Sequence, residues 1–265
     1  MPKPLVSILV ICFNQENFIR QALLSALEQD YENLEVVVAD DASSDATRDV
    51  IADLKKKYSN RLVSMLGDIN LGITGNSNRG LAVCQGKYIA MMGGDDVMLP
   101  DKIKKQVAWL DDDRDRVLCG HDVEWVDFRG LNLNIKSSDM IPMSSGIGAG
   151  GIIRYGPPFA ATSVMIRSSR IPEYGFNPQL PVISDWKMWI DIVSIDGVYG
   201  YIEGVYAQYR RHDGNVTGHY SYKLFRDQLM TCLLSLKHFR GHYLGDWMRY
   251  FWCGILRKII SRNEG

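Results

Sequence analysis

An α/β fold with a mostly parallel central sheet and a helical carboxyl-terminal tail is what this sequence predicts, on three observations. Over about the first 120 residues, short apolar runs alternate with segments whose apolar residues recur every three or four positions. Two of the runs, Val6–Cys12 and Glu35–Ala39, are almost continuously apolar, as parallel strands covered on both faces require. The 265 residues, 46% hydrophobic and 23% charged, are enough for one substantial core and exclude collagen-like, coiled-coil and wholly disordered chains.

The elements follow in order. Val6–Cys12 is the first strand, and Ile19, Leu23, Ala26 and Leu27 mark one side of the helix that leads to the second strand, Glu35–Ala39. Ser43-Ser44-Asp45 offers side-chain oxygens to free helix N–H groups, and Val50, Ile51 and Leu54 form the inward face of the helix it opens. Leu62–Leu66 and Tyr88–Met92 read as further strands, with Asn70-Leu71-Gly72 as a turn between them. A helix carrying Ile103, Val107 and Leu110 begins after Pro100. Strand-like His121–Phe128 then gives way to Gly130–Gly151, rich in Gly, Ser, Asn and Met without a clear period, which reads as a loop. Strands at Ser163–Ile166, Tyr199–Ile202 and Val205–Tyr209, with a helix from Asp185 to about Ile195, complete a domain over 1–220. Its halves lie at about 1–120 and 121–220, and 221–265 forms the tail.

Lys and Arg number 30 against 31 Asp and Glu, so a net charge of -1 offers no chain-wide attraction to nucleic acid. The tail differs: from Lys223 onward eight Lys and Arg face three Asp and Glu, leaving about -6 on the rest. Within 243–260, Leu244, Met248, Phe251, Ile255 and Ile259 share one helical face beside Trp247 and Trp252, with Asp246, Arg249 and Arg257 opposite. A basic amphipathic helix of this kind fits either an anionic membrane surface or a second subunit, and both readings stay open. Five cysteines without a CxxC pair suit a reducing compartment. The apolar run Leu5–Phe13 ends directly in Asn14-Gln15-Glu16 with no small-residue cleavage pattern, so it reads as a buried strand rather than a signal peptide. No stretch reaches the roughly 18 apolar residues that span a bilayer. These features point to the cytoplasm, free or peripheral at the inner face of the cytoplasmic membrane.

Two carboxylate pairs carry the chemistry. Asp40-Asp41 ends the second strand and Asp95-Asp96 follows the fourth through Gly93-Gly94, at the carboxyl edge where open α/β sheets bind ligands. Adjacent carboxylates repel unless a cation, a ligand or N–H groups compensate, and hard oxygens suit Mg²⁺ or Mn²⁺ shared with phosphate. A nucleoside-diphosphate ligand follows. Taken alone, either pair also reads as a cap or turn. Gly146-Ile147-Gly148-Ala149-Gly150-Gly151 matches the dinucleotide spacing, but Pro142 precedes it and Pro157-Pro158 follow closely, leaving little room for the helix that motif opens.

Val6-Ser7-Ile8-Leu9-Val10, Phe13-Asn14, Gln29-Asp30-Tyr31 and Val38 through Asp45 together resemble the opening of family 2 inverting glycosyltransferases. The likeness continues through Asn70-Leu71-Gly72, Asn78-Arg79-Gly80, Gly86-Lys87-Tyr88-Ile89 and Asp95-Asp96, and covers residues 5 to about 215. It implies the GT-A fold, the Rossmann-like fold of nucleotide-diphospho-sugar transferases, and non-processive synthesis of surface polysaccharide or lipopolysaccharide. Asp41 would then hydrogen-bond the base, most often uracil, with Phe13 against it. Asp95 would meet the ribose, Asp96 a Mn²⁺ or Mg²⁺ ion, and His212 would complete the metal shell or contact the diphosphate. Arg210 and Arg211 are positioned to neutralise phosphate, or are solvated. Gly93 stands where many relatives carry another carboxylate.

The resemblance also makes Asp185, in Ser184-Asp185-Trp186, the general base that takes a proton from the acceptor hydroxyl, with Ser184 replacing the family's usual acid. Without it, Asp185 is a helix cap. The implied reaction is metal-dependent transfer of one hexosyl or N-acetylhexosaminyl unit, with inversion, from an NDP-sugar, most simply a UDP-sugar, to a glycan hydroxyl. The basic tail suits a lipid-linked acceptor. A nucleotidyltransferase would need a Gly-rich basic loop where Cys12-Phe13-Asn14-Gln15-Glu16 stands. A non-catalytic carbohydrate-binding or scaffold protein with the same fold is the remaining alternative.

Overall fold

A computed structural model describes residues 2–140, 143–194, 196–215 and 222–235. Strands β1 (Val6–Cys12), β2 (Leu34–Asp40), β3 (Leu62–Leu66) and β4 (Tyr88–Gly93) alternate with helices α1 (Ile19–Leu27), α2 (Thr47–Lys57) and α3 (Gly72–Leu81). After these come β5 (Val97–Met98), α4 (Lys102–Asp111), β6 (Arg116–Val126), β7 (Asn132–Lys136), β8 (Gly146–Ile147) and α5 (Gly150–Tyr155). The described chain closes with β9 (Met165–Arg167), α6 (Ser184–Val193), β10 (Val198–Arg210) and α7 (Tyr222–Leu234).

All ten strands belong to one sheet ordered β3-β2-β1-β4-β9-β6-β10-β5, with β7 hydrogen-bonded to β6 and β8 to β10. β1 pairs in parallel with both β2 and β4, and β2 with β3. β9 runs antiparallel to β4 and to β6, which returns β6 to the direction of β4, and β10 is parallel to β6. Six strands therefore end at one edge of the sheet, at Cys12, Asp40, Leu66, Gly93, Val126 and Arg210.

Strand alternation divides the core between two faces. Ile8, Val10, Val36 and Val38 pack beneath α1, α2 and α4 through Leu23, Ile51 and Ile103, all essentially inaccessible. Leu9, Val37, Ile89 and Met91 face the other way, against Ile152 and Ile153 of α5 and Trp186, Met188 and Trp189 of α6. Covering on both faces is why these strands are continuously apolar.

Three expectations are corrected. Asn70-Leu71-Gly72 is a turn that leads straight into α3, a helix whose GITGNSNRGL sequence has poor propensity and only a weak apolar stripe. Polar anchors hold it instead: Asn76 Nδ2 donates to Ala39 O at 2.8 Å and Arg79 Nη1 to Asp40 O at 3.0 Å. Asn78 exchanges hydrogen bonds with the backbone of Phe176, each of 2.8 Å. The region read as a loop contains β7, β8 and the start of α5, and α5 does form in the six residues before Gly156. The glycine run pairs with the beginning of β10, Val198 with Ile147 and Tyr199 with Gly146, at the edge opposite the carboxyl ends. The two late strands are one, β10, with register shifts around Val205 and Gly204 at φ +118°.

The four described cysteines are free thiols. No helix among the described residues is long and apolar enough to cross a membrane. The amphipathic segment 243–260 lies outside the described residues.

Gly80 sets the approach of α3 to the sheet: a Cβ there would come within 2.4 Å of Leu9 Cδ1 and 3.0 Å of Ala39 Cβ. Gly80→Val should therefore cost about 1–3 kcal/mol by overpacking, read as a lower urea midpoint at unchanged m-value.

Candidate active site

The chain passes from β1 outward through β2 to β3, then returns to place β4 on the other side of β1. A crevice opens beyond the carboxyl ends at that reversal, between the β1 and β4 loops. The loops after β1 and β2 are laced together there. Asn14 N donates to Ser43 Oγ at 2.8 Å, Ser44 N to Asn14 Oδ1 at 2.9 Å and Gln15 N to Thr47 Oγ1 at 2.7 Å. Asn14 and Ala42 take left-handed backbone conformations, φ +50° and +63°. Phe13, 46% exposed, stands free at the lip.

The Asp40-Asp41 pair is compensated by hydrogen-bond donors. Buried Asp40 accepts from Ser43 N at 3.1 Å and from the Ser43 hydroxyl, with Arg48 Nε 3.4 Å away. It is a brace for its loop. Asp41 caps α3, with Oδ1 accepting from Leu71 N and Oδ2 from Gly72 N, both at 2.8 Å, and Arg79 Nη2 3.8 Å from Oδ1. Each of its oxygens keeps a lone pair for a further donor.

The second pair splits into two environments. Asp95 reaches outward: His212 Nε2 lies 2.9 Å from its Oδ2, and Asn215 Nδ2 donates to the same oxygen at 3.3 Å. His212 itself is held by Asn215, whose Oδ1 accepts from His212 N at 2.7 Å, and packs against Phe18 with ring centroids 4.9 Å apart. Asp96 turns inward, 3% exposed, its Oδ1 accepting from Arg210 N at 3.0 Å. Burial, reinforced by the neighbouring Asp95 charge, pushes its carboxyl up to about 8. Behind it, fully buried Lys102 donates to Thr162 O at 2.5 Å, and burial lowers its ammonium to about 7. Buried His121, lowered to about 3 by burial, adds a neutral imidazole.

Arg210 departs from its expected role. Only 2% exposed, its guanidinium is spent within the protein: Nε on Asp95 O at 2.8 Å, Nη2 on Gln21 Oε1 at 2.8 Å, and Nη1 on Asp127 O and Phe128 O at 3.2 and 3.3 Å. It lies over the Phe18 ring, 5.1 Å from its centroid. A buried guanidinium with four oxygen partners holds loops together and has little left for a phosphate. Arg211 is more open, stacked over Trp125 at 5.0 Å.

Asp185 stands in the first turn of α6, half-buried, with Oδ1 accepting from Trp186 N at 2.8 Å. Burial raises its carboxyl above the ordinary value despite that hydrogen bond. The helix start is tied to the donor half: Ser184 Oγ and Thr74 Oγ1 of α3 are 2.8 Å apart, and the Thr74 hydroxyl donates to Leu180 O at 2.5 Å. One turn of α3 thus separates the Asp41 cap from the contact that seats α6. Asp227 of α7, wholly buried, completes the support by accepting from Val182 N at 2.7 Å and Ile183 N at 3.4 Å.

The sequence reading missed Gln21, Lys102, His121, Thr74 and Asp227. Gln106-like polar residues at helical spacing were one available signal: Lys102 and Gln106 share the inward face of α4 with Ile103 and Leu110, unusual company for a solvent residue.

For a divalent cation, no cluster of three or more His, Cys, Asp or Glu exists among the described residues. The pair Asp95 and His212 nevertheless offers one hard oxygen and one imidazole nitrogen. Gly93 leaves the space beside them open, since a Cβ there would lie 2.6 Å from Asp95 Oδ1 and 3.2 Å from Asp96 Oδ2. Two protein ligands with the remainder from phosphate and water fit Mn²⁺ or Mg²⁺.

The family model described as glycosyl transferase family 2 matches residues 7–141. An uncharacterized glycosyltransferase of Haemophilus influenzae is 28% identical over 83% of this chain and 69% of its own length. The Escherichia coli UDP-Glc:alpha-D-GlcNAc-diphosphoundecaprenol beta-1,3-glucosyltransferase WfaP is 25% identical over 88% of each chain. Of four further relatives the chain spans 34% to 59% of the length. Among solved structures, S. aureus TarS 1-349 in complex with UDP superposes with a TM-score of 0.72 at 16% identity, over 94% of this chain and 72% of that one; the fold is the same.

Asp96 and His121 make opposite contributions to stability against pH. A carboxyl raised in the folded state stabilises below its unfolded value and loses that stability as pH rises toward about 8. His121, lowered to about 3, destabilises the folded state as pH falls below 6.5. Asp96→Asn should remove the first effect, so that its stability relative to wild type rises between about pH 4 and 7, measured by urea unfolding without metal. Asp227→Ala, which removes a buried acceptor from the Val182 and Ile183 N–H groups, should cost about 1–3 kcal/mol in the same assay.

Proposed function

The chain belongs to glycosyl transferase family 2, and from that membership we propose that it transfers one sugar, with inversion, from a UDP-sugar to a hydroxyl of a lipid-linked glycan. The observation that carries the reading is the juxtaposition at one sheet edge of Asp95 with His212, Asp41 beside exposed Phe13, and the raised carboxyl of Asp185. The UDP held by S. aureus TarS supports a uridine nucleotide. The diphosphoundecaprenol acceptor in the name of the E. coli relative supports a lipid-linked glycan and a hexosyl donor.

In this reading the base lies between Phe13 and the Asp41 loop. Asp95 and His212 hold the divalent ion, whose charge, when bound, stabilises the departing diphosphate. This assignment differs from the expected one, in which Asp96 met the metal. Support for the change lies in Asp96 Oδ1 being committed to Arg210 N, whereas Asp95 Oδ2 lies 2.9 Å from His212 Nε2. Asp96 then fixes β10 against the Asp95 loop. Asp185 accepts the proton of the acceptor hydroxyl as its oxygen attacks the anomeric carbon and the bond to the diphosphate breaks. Lifting a carboxylate above its ordinary value makes it the stronger base, provided it is ionised at the working pH.

Thermal unfolding with UDP and Mn²⁺ tests the donor site. Ligand at about 100 times its dissociation constant adds roughly 2.7 kcal/mol, a rise of about 5–10 °C in Tm. Asp95→Asn and His212→Ala should lose the metal-dependent part, and Asp96→Asn should keep most of it; the reverse pattern returns the metal to Asp96. No shift with any nucleotide favours the non-catalytic alternative. Asp185→Asn should leave the shift intact and lower kcat by about 10²–10⁴. Because only ionised Asp185 takes the proton, wild-type kcat should rise with pH along an acid limb displaced above the ordinary aspartate range.

A further inference from the structure

The acceptor half carries a row of polar side chains that the donor site leaves unused, on the face of β6 and β10 that looks toward the Asp95 loop. Two landmarks fix that face. A Cβ on Gly120 of β6 would stand 2.3 Å from the Phe159 ring, and Phe159 belongs to the same buried cluster as Trp186 and Trp189 of α6. Farther along the paired strands, Arg210 of β10, opposite Val126 of β6, turns its guanidinium to Asp95 O. Side chains at two-residue steps share a face, so Glu124 and its pairing partner Gln208 stand on this face between the two landmarks. Gln208 also pairs with Val97 of β5, two positions after Asp95. Helix α6 leads directly into β10, which starts at the amino edge of the sheet, so the first turn of α6, with Asp185, lies at the same carboxyl edge as the row.

The row is preformed. Glu124 Oε1 accepts from Gln208 Nε2 at 2.7 Å and Oε2 from Asn132 Nδ2 at 2.8 Å, while Asn132 Oδ1 accepts from Asn134 N at 2.7 Å. One carboxylate between two amides thus orients three planar groups across β10, β6 and β7. Glu124 and Gln208 are half-buried and Asn132 is exposed, so their outer edges meet solvent. Capacity remains on them: among the described residues Gln208 Oε1 and one N–H of each amide have no partner, and each Glu124 oxygen keeps a lone pair. A sugar hydroxyl both donates and accepts, so adjacent hydroxyls of one ring need donors and acceptors side by side, already oriented. The sequence amide, carboxylate, amide supplies them.

We infer that Glu124, Gln208 and Asn132 bind the terminal sugar of the acceptor glycan through adjacent ring hydroxyls that do not themselves react. This deepens the acceptor side of the function proposed above and rests on it.

The test is steady-state transfer by the full chain with Mn²⁺, from the UDP-sugar that raises Tm most, to undecaprenyl diphosphate carrying α-linked GlcNAc, GalNAc or glucose. Glu124→Ala and Gln208→Ala should each raise the acceptor KM about tenfold or more, the loss of a hydrogen bond to substrate. Their kcat and donor KM should stay within about twofold of wild type, because binding lost at a non-reacting part of the substrate appears in KM. Asp139→Ala frees the same hairpin at Lys136 N without touching the row, and should leave the acceptor KM unchanged. An equal rise with Asp139→Ala assigns the effect to hairpin order and overturns the inference, as do unchanged acceptor KM values in both row variants. A wild type that shifts with UDP and Mn²⁺ yet transfers to none of the three acceptors overturns the lipid-linked reading and the inference with it. Transfer by wild type and both row variants alike overturns the inference alone.

Discussion

The guanidinium of Arg210 is the interaction on which the site depends. One planar group, buried at the end of β10, binds the Asp95 carbonyl, the Gln21 amide of α1 and two carbonyls of the β6 turn, and stacks over Phe18. The main-chain N–H of Arg210 meanwhile donates to Asp96 Oδ1. Elements more than a hundred residues apart in sequence are thereby referred to one rigid centre. A lysine could supply the charge but not the four directions.

Sheet polarity does the rest. Reversal between β1 and β4 opens the crevice, and the antiparallel insertion of β9 allows β6 and β10 to resume the original direction. Every loop carrying a candidate residue then falls on one edge. The glycine run at 146–151 belongs to the opposite edge, tucked beneath Tyr199, whose hydroxyl would meet a Cβ at either Gly146 or Gly151.

Much of this was legible in the chain. β1, β2 and β4 announce themselves because strands buried on both faces are apolar almost throughout, and Asp41, Asp95 and Asp185 stand at or near element ends. α3 was illegible for a physical reason: its stability comes from Asn76, Asn78 and Arg79 reaching partners elsewhere, and local propensity carries no trace of those partners. Arg210 and Arg211 look equivalent in sequence, yet one is 2% exposed and the other partly open, because successive residues leaving a strand point to opposite sides. Hairpin β6–β7 escaped although Asn132–Lys136 alternates polar and apolar, because the run is short and its two asparagines, one of them at φ +57°, are poor strand formers.

The bond from Asp227 to the residues before α6 bears on how this architecture can be recombined. Asp227 lies beyond the boundary at which the sequence divides body from tail, yet it fixes the approach to Asp185 from inside the body. A chimera that joined residues 1–220 to a relative's carboxyl-terminal segment would keep every candidate residue and lose one of the supports beneath Asp185. Modularity in this chain is therefore set by hydrogen-bond connectivity, and a crossover point belongs after α7.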